Sequence, residues 1–254
     1  MKLVFNLFLC LLITACFDEP SEDPHILVFT KTAGYTHASI PDGVRAIQKM
    51  GAKKGFRVDT TSNSSFFTED SLKKYSAVLF LSTTGDVLNE REQVEFTRYI
   101  QAGGGYMGIH GAVDSEYDWP WYGKLIGAYF KNHPHIQEAE LKVHSDENFP
   151  VTDSLPNPWV VTDEWYNFRS LPKDVNVLVS IDEKSYNGGE NGEYHPVVWY
   201  HDYDGGRAFY MALGHTSESY KDPAFLKLLE AGMDYSIGEN EILNYDKTAV
   251  LGVQ

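Results

Sequence analysis

Three apolar runs of strand length punctuate the first half of the chain: His25-Ile-Leu-Val-Phe-Thr30, Ala77-Val-Leu-Phe-Leu-Ser82 and Tyr106-Met-Gly-Ile-His110. Runs that do not alternate with polar residues fit strands buried on both faces, as in a parallel sheet. Helical spacing fills the gaps between them. Ser39-Ile-Pro-Asp-Gly opens a helix carrying Val44, Ile47 and Met50 that stops near Gly55. Phe56 to Thr61 predicts a weaker strand, and Thr68 to Tyr75 a short capped helix. Asn89-Glu-Arg-Glu92 has the form of a capping box and opens a helix bearing Val94, Tyr99 and Ile100, closed by Gly103-Gly-Gly105. This alternation predicts an α/β fold, an open and mostly parallel sheet with helices on both faces.

The second half is less regular and adds elements to that sheet. Trp119 to Phe130 predicts an aromatic-rich helix, Ile136 to Val143 a partly alternating strand, and Asn176–Ile181 and Pro196–Tyr200 further strands. Asp204-Gly-Gly206 marks a turn into a strand over Arg207–Leu213, and Pro223–Ile237 a final helix with Phe225, Leu229 and Met233 on one face.

The N-terminus has a different pattern. Met1-Lys2 precedes an apolar run from Leu3 to Ala15, too short to span a bilayer and suited to a secretory signal. It ends Leu12-Ile-Thr-Ala-Cys16, which resembles a bacterial lipobox, so Cys16 is the expected lipidation site. Residues 17–24 hold four acids and two prolines, the composition of a solvated tether. The expected organisation is a signal over 1–15, lipidated Cys16 and tether over 16–24, a domain over 25–238, and a tail over 239–254. The expected product is an exported lipoprotein of the bacterial envelope, touching the membrane through its lipid alone.

Charge and cysteine content then narrow the chemistry. A net charge of −15 argues against nucleic-acid partners, since phosphate neutralisation needs a surplus of Lys and Arg. Both cysteines, Cys10 and Cys16, fall in the export segment, which leaves the domain without thiol chemistry, disulfides or Cys-ligated metal.

Ligands of open parallel sheets bind beyond the carboxyl ends of the strands. Tyr35 and His37 come after the first strand there. His110, between Gly108 and Gly111, stands at a strand-to-turn junction like a nucleophile elbow. An imidazole at such a place suits proton transfer or metal ligation. His133-Pro-His135 would project two imidazoles to one side of an extended segment, as candidate ligands of one metal. Asp163-Glu164-Trp165-Tyr166 sets a carboxylate beside aromatics, where burial would raise its pKa toward general-acid use. His195 starts one strand and His215 ends another, whereas His25, His144 and His201 lack such settings.

In order, Thr30-Lys-Thr-Ala-Gly-Tyr-Thr-His37, Gly103-Gly-Gly-Tyr-Met-Gly-Ile-His-Gly-Ala112, His133-Pro134, Asp163-Glu-Trp-Tyr166, His195-Pro-Val-Val-Trp199 and Gly206-Arg-Ala-Phe-Tyr-Met-Ala-Leu-Gly-His215 resemble the ThuA-like (trehalose utilisation) family. The resemblance implies a flavodoxin-like fold similar to class I glutamine amidotransferases. The elbow residue in those enzymes is Cys; here it is His110, so glutamine hydrolysis is not expected. It also implies a part in disaccharide or 3-keto sugar metabolism, with site roles for Tyr35, His37, His110, His133, Glu164, His195 and His215. The resulting expectation is a carbohydrate-active hydrolase, lyase or isomerase. His110 and Glu164 are its catalytic pair, and Tyr35, His37, Trp165, Tyr166, His195 and His215 bind the sugar. Trp119, Trp121, Tyr122 and Trp165 are expected as apolar walls of the pocket, and a divalent metal such as zinc as a candidate cofactor. The competing reading is a non-catalytic sugar-binding lipoprotein that serves a neighbouring enzyme.

Overall fold

The computed structural model describes residues 23–249. The export segment 1–15, Cys16 and the tether as far as residue 22 lie outside the described residues. In chain order the main elements are β1 (His25–Phe29), α1 (Ile40–Lys54), β2 (Arg57–Thr61), α2 (Glu69–Leu72), β3 (Ala77–Leu81), α3 (Glu90–Gln101), β4 (Gly105–Ile109) and α4 (Pro120–Ile126). They continue with β5 (Phe130–Asn132), β6 (Gln137–Val143), β7 (Trp159–Asp163), β8 (Asn167–Phe168), β9 (Asn176–Ile181), β10 (Pro196–Tyr203), β11 (Gly206–Met211) and α5 (Pro223–Ile237).

Nine strands form one sheet in the order β2-β1-β3-β4-β11-β10-β9-β6-β7. The first five are mutually parallel, and their order is that of flavodoxin-like sheets. From β11 onward every pairing is antiparallel, so the second half extends the sheet rather than covering it. Strands β5 and β8 make a separate antiparallel pair.

The physical cause of the parallel half is plain in its burial. Every residue of β3 and β4 is buried, as is β1 after His25, because α1 and α5 pack on one face and α2, α3 and α4 on the other. Helix α5 crosses β4 so closely that a Cβ on Gly105 would lie 1.7 Å from the Ser236 carbonyl oxygen, which only glycine accommodates. The capping box of α3 is complete, with Asn89 Oδ1 accepting from the Glu92 amide at 3.0 Å and Glu92 Oε2 from the Asn89 amide at 2.9 Å. Ser39 precedes α1 but does not cap it. Its hydroxyl instead donates to the Gly214 carbonyl at 2.9 Å, tying the loop after β1 to the turn after β11.

One expectation changes, and two strands appear that the sequence pattern does not predict. The helix predicted over Trp119–Phe130 is α4 alone, ended by Gly127 at φ 95°, with β5 formed just beyond. The end of that sequence run therefore pairs with β8 instead of continuing as helix. Strands β7 and β8, which carry the Asp163-Glu-Trp-Tyr segment between them, have no clear alternation signal. The tail beyond 238 packs back on α3 over its described part: the Asn244 amide donates to the Ala102 carbonyl at 2.9 Å, and the Arg98 guanidinium lies over the Tyr245 ring. No helix of the described residues is long and apolar enough to cross a membrane.

Candidate functional site

The carboxyl ends of β1, β4, β7 and β11 each deliver one side chain to a common point. These are His37, His110, Glu164 and His215, and one ligand-type atom from each lies within 4.8 Å of all the others. In a flat sheet β7 and β11, four places apart, would stand roughly 19 Å from one another at the usual spacing. Here the end of β7 and the turn after β11 reach together above the sheet edge. Asp163, fully buried, accepts from the Gly214 amide at 2.8 Å and the His215 amide at 3.2 Å.

His110 sits at φ 48°, a left-handed conformation uncommon outside glycine, immediately after β4. That backbone turns its ring up from the sheet, as the elbow reading anticipates. The ring is fully buried, with Nδ1 2.7 Å from the Ala212 carbonyl oxygen. An oxygen there makes Nδ1 the donor, and Nε2 faces the cluster. Around Nε2 lie the Tyr166 hydroxyl at 2.9 Å, His215 Nδ1 at 3.2 Å and Glu164 Oε2 at 3.6 Å.

Glu164 links the group. Its Oε2 is 3.1 Å from His215 Nδ1 and its Oε1 is 3.1 Å from His133 Nδ1. Burial alone would raise its pKa, but the hydrogen bonds and charges of His110 and His215 outweigh burial and hold it below the usual carboxylate range. This reverses the sequence expectation of a raised, proton-donating carboxyl. The group is an anion set among imidazoles, and such a group donates electron pairs rather than protons. His215 is raised in turn, chiefly by its bond to Glu164. His37 is driven the other way, to about 3, by burial and then by the neighbouring His110 and His215, so it stays neutral. The Tyr166 phenol is pushed well above 10 by burial and by the Glu164 charge, and therefore keeps its proton.

The candidate residues from the sequence separate by position. Tyr35, 62% exposed, overhangs the cluster, its ring parallel to that of His215 and 6.5 Å away. His133 stands on the rim with its ring partly exposed. His135 is exposed and outside the cluster, so the predicted His133–His135 pairing on one side does not form. Trp165 points away from Glu164 and Tyr166, fully buried, with Nε1 donating to the Gln137 carbonyl at 2.9 Å. It cannot touch a sugar. Trp121 bonds to Asp204 in the turn that precedes β11, at the opposite edge of the sheet from His215. Trp119 stacks on it and on Tyr122, which is fully buried with its hydroxyl donating to the Ala112 carbonyl at 2.8 Å, so these three rings do not wall a sugar pocket at the cluster.

His195 lies behind the site. Its Nδ1 is 2.7 Å from Glu183 Oε1, its Nε2 is 2.9 Å from the Tyr166 carbonyl oxygen, and no part of it is exposed. A substrate-binding role does not fit that burial; the ring props the backbone of Tyr166. Glu183 in turn walls a cleft of about 850 Å³ on the antiparallel half, whose lining includes none of His37, His110, Glu164 or His215. His195→Ala should strand the Tyr166 carbonyl, remove one partner of Glu183 and leave a cavity, at a cost of about 2–4 kcal/mol of stability, read as a lowered denaturation midpoint. His25, His144 and His201 bond to Asp59, Ser180 and the Leu125 carbonyl, apart from the cluster.

Three imidazoles and one ionised carboxylate form a donor set suited to zinc and similar divalent ions. The tetrahedral edge for metal bonds of about 2.1 Å is about 3.4 Å. The separations of 3.2 Å and 3.1 Å that His215 makes with His110 and Glu164 match it, and all four atoms lie within 4.8 Å of one another.

A sequence profile described as ThuA, trehalose utilisation, matches residues 25–236. The chain belongs to the ThuA family. The ThuA fold is also found in solved structures. One, from Bacteroides uniformis, is described as a putative ThuA-like protein; it is 25% identical, aligns over 91% of this chain and 98% of its own, and has a TM-score of 0.73. Another putative ThuA-like protein, from Parabacteroides merdae, is 21% identical, aligns over 87% and 91%, and has a TM-score of 0.70. A β-galactosidase from Bacillus circulans, 13% identical, shares the fold over 86% of this chain and 31% of its own with a TM-score of 0.54. No match to a curated protein sequence was found. The ThuA assignment carries an association with trehalose utilisation, and the α/β architecture agrees with it.

Proposed function

We propose that this chain is a divalent-metal-dependent enzyme acting on a disaccharide or 3-keto sugar at the bacterial cell envelope. The observation that carries the reading is the convergence of His37, His110, Glu164 and His215 at the sheet edge, taken with the family's link to trehalose. A divalent ion such as zinc, when bound, would polarise a sugar oxygen as a Lewis acid. The protein's own groups supply the rest. His110 is held by the Ala212 carbonyl with its Nε2 aimed inward, and neutral His37 adds a second donor without a proton to displace. The Tyr166 hydroxyl keeps its proton and lies 2.9 Å from His110 Nε2, so a metal ion on that nitrogen would release the hydroxyl to bond a substrate oxygen.

His133 is the rim group placed to move a proton. Both neighbours of its Nδ1, Glu164 Oε1 at 3.1 Å and the Pro134 carbonyl at 2.8 Å, are acceptors. Nδ1 therefore carries the proton, which leaves Nε2 free to take one from carbon next to a sugar carbonyl or from an attacking hydroxyl. Above, the exposed Tyr35 ring offers an apolar face to sugar C–H groups. The test is turnover of disaccharides and 3-keto glycosides by chelator-treated protein before and after zinc, manganese or cobalt is restored. Activity that returns with metal supports the reading. Sugar binding without turnover under every condition would sink it in favour of a binding lipoprotein.

Export and anchoring rest on the leader sequence. Cys16→Ser should move the protein from the membrane fraction to the soluble fraction of its host, with the processed mass losing its lipid. A wild-type protein found unlipidated in the soluble fraction would contradict this.

A further inference from the structure

The same geometry points to a residue with no place among the cluster's ligands. We infer that Asp163 is the positioning residue of the centre, a single carboxylate that fixes where Glu164 and His215 stand relative to one another. The inference rests on the proposed metal centre.

Asp163 ends β7 with no exposed surface, and its two oxygens accept four hydrogen bonds. Oδ1 takes the Glu164 amide at 2.8 Å and the His215 amide at 3.2 Å. Oδ2 takes the Gly214 amide at 2.8 Å and the Ser219 hydroxyl at 3.1 Å. Two of these donors are the backbones of the very residues whose side chains meet at 3.1 Å. They lie 51 residues apart and on elements that do not pair in the sheet, and within the described residues no strand ladder sets their spacing. Gly214 is held from its other side as well, since its carbonyl accepts from Ser39, two residues after His37. The chain of contacts Ser39–Gly214–Asp163 thus joins the loops bearing His37, His215 and Glu164.

A buried carboxylate is costly unless its lone pairs are filled. Here they are filled by three main-chain amides, which a purely apolar contact between the two loops would leave unsatisfied, and by the Ser219 hydroxyl. An Asn at this place has one acceptor oxygen, and its amide nitrogen would oppose at least one backbone N–H, that of Gly214 or those of Glu164 and His215. Asp163→Asn therefore breaks at least one of the four bonds and removes the charge while changing almost no volume. Outer-shell changes of this kind typically lower metal affinity by about 10- to 100-fold.

The experiment compares Co²⁺ binding and the visible Co²⁺ absorption of the full chain in wild type, Asp163→Asn, Ser219→Ala and Ser236→Ala. Ser236 is a fully buried serine of α5 that bonds the Tyr106 carbonyl far from the cluster, and its variant controls for general loss of stability. Asp163→Asn should lose about 10- to 100-fold in Co²⁺ affinity with altered band positions and intensities. Ser219→Ala, missing one of four donors, should lose about threefold with a smaller spectral change in the same sense. Ser236→Ala should keep the wild-type spectrum and affinity. If wild type binds no Co²⁺, the metal reading falls and takes this assignment with it. If wild type binds and Asp163→Asn matches it, or drops no further than Ser236→Ala, the assignment alone is overturned. Should Asp163→Asn fail to fold, an unchanged Ser219→Ala overturns it equally.

Discussion

Glu164→Gln lowers divalent-metal affinity by at least about 100-fold, and turnover falls with it. The magnitude comes from sharing roughly 10–16 kcal/mol of four-ligand binding among four groups, about 3 kcal/mol each. Gln keeps the shape and one oxygen but removes the carboxylate that contacts His110, His133 and His215. Competition with a chelator of known affinity reads the loss directly. The same substitution has a pH signature. Glu164 raises the pKa of His215, so in the metal-free wild type that ion pair stabilises the fold fully below the unfolded His value. The contribution fades as pH rises through the raised folded value. In Glu164→Gln this acid-side increment disappears, and the denaturation midpoint should vary less with pH there. Metal must displace the same proton, so wild-type affinity should climb across that range with release of about one proton. Undiminished affinity in the variant would remove Glu164 from the centre.

His110→Ala has the other large effect, and it combines two losses. The ring is fully buried, and its removal strands the Ala212 carbonyl and the Tyr166 hydroxyl while taking Nε2 from the cluster. Stability should fall by about 2–4 kcal/mol and kcat/KM by about 10²- to 10⁴-fold. His110→Asn separates these two losses. Asn tolerates the left-handed φ of 48°, and its amide can still donate toward Ala212, but it offers no imidazole nitrogen. Its denaturation midpoint should stay near wild type while turnover drops as far as in the Ala variant. Near-normal turnover in a folded His110→Asn would mean that the imidazole has no part in the chemistry.

The parallel half of the fold could be read from sequence because burial on both faces leaves β1, β3 and β4 as unbroken apolar runs, and the capping box of α3 marks its own start. β7 gave no such signal. Trp159-Val-Val-Thr-Asp163 is an edge strand with only its end residues buried, so no run or clean alternation marks it. Histidines placed after strand ends were good guides, since a parallel sheet gathers the residues just beyond its carboxyl ends: His37, His110 and His215 meet there. His195 precedes its strand, β10, and β10 runs antiparallel to β11. It thus comes near the same edge but beneath Tyr166, a depth that sequence position does not encode. The sign of the Glu164 shift was illegible for a related reason. Burial is a property of its neighbours in sequence, but the opposing imidazoles arrive from residues 110 and 215. The positioning role of Asp163 has no sequence signal because three of its four partners are backbone amides, which any residue supplies.

The central claim is that His37, His110, Glu164 and His215 hold a divalent ion. Elemental analysis of wild-type protein purified without chelator, alongside His37→Ala prepared identically, tests it most directly. The account predicts about one divalent ion per wild-type chain and a small fraction of that in the variant. A metal-free wild type that also fails to take up zinc, manganese or cobalt on titration, or a variant that retains the full complement, would contradict it.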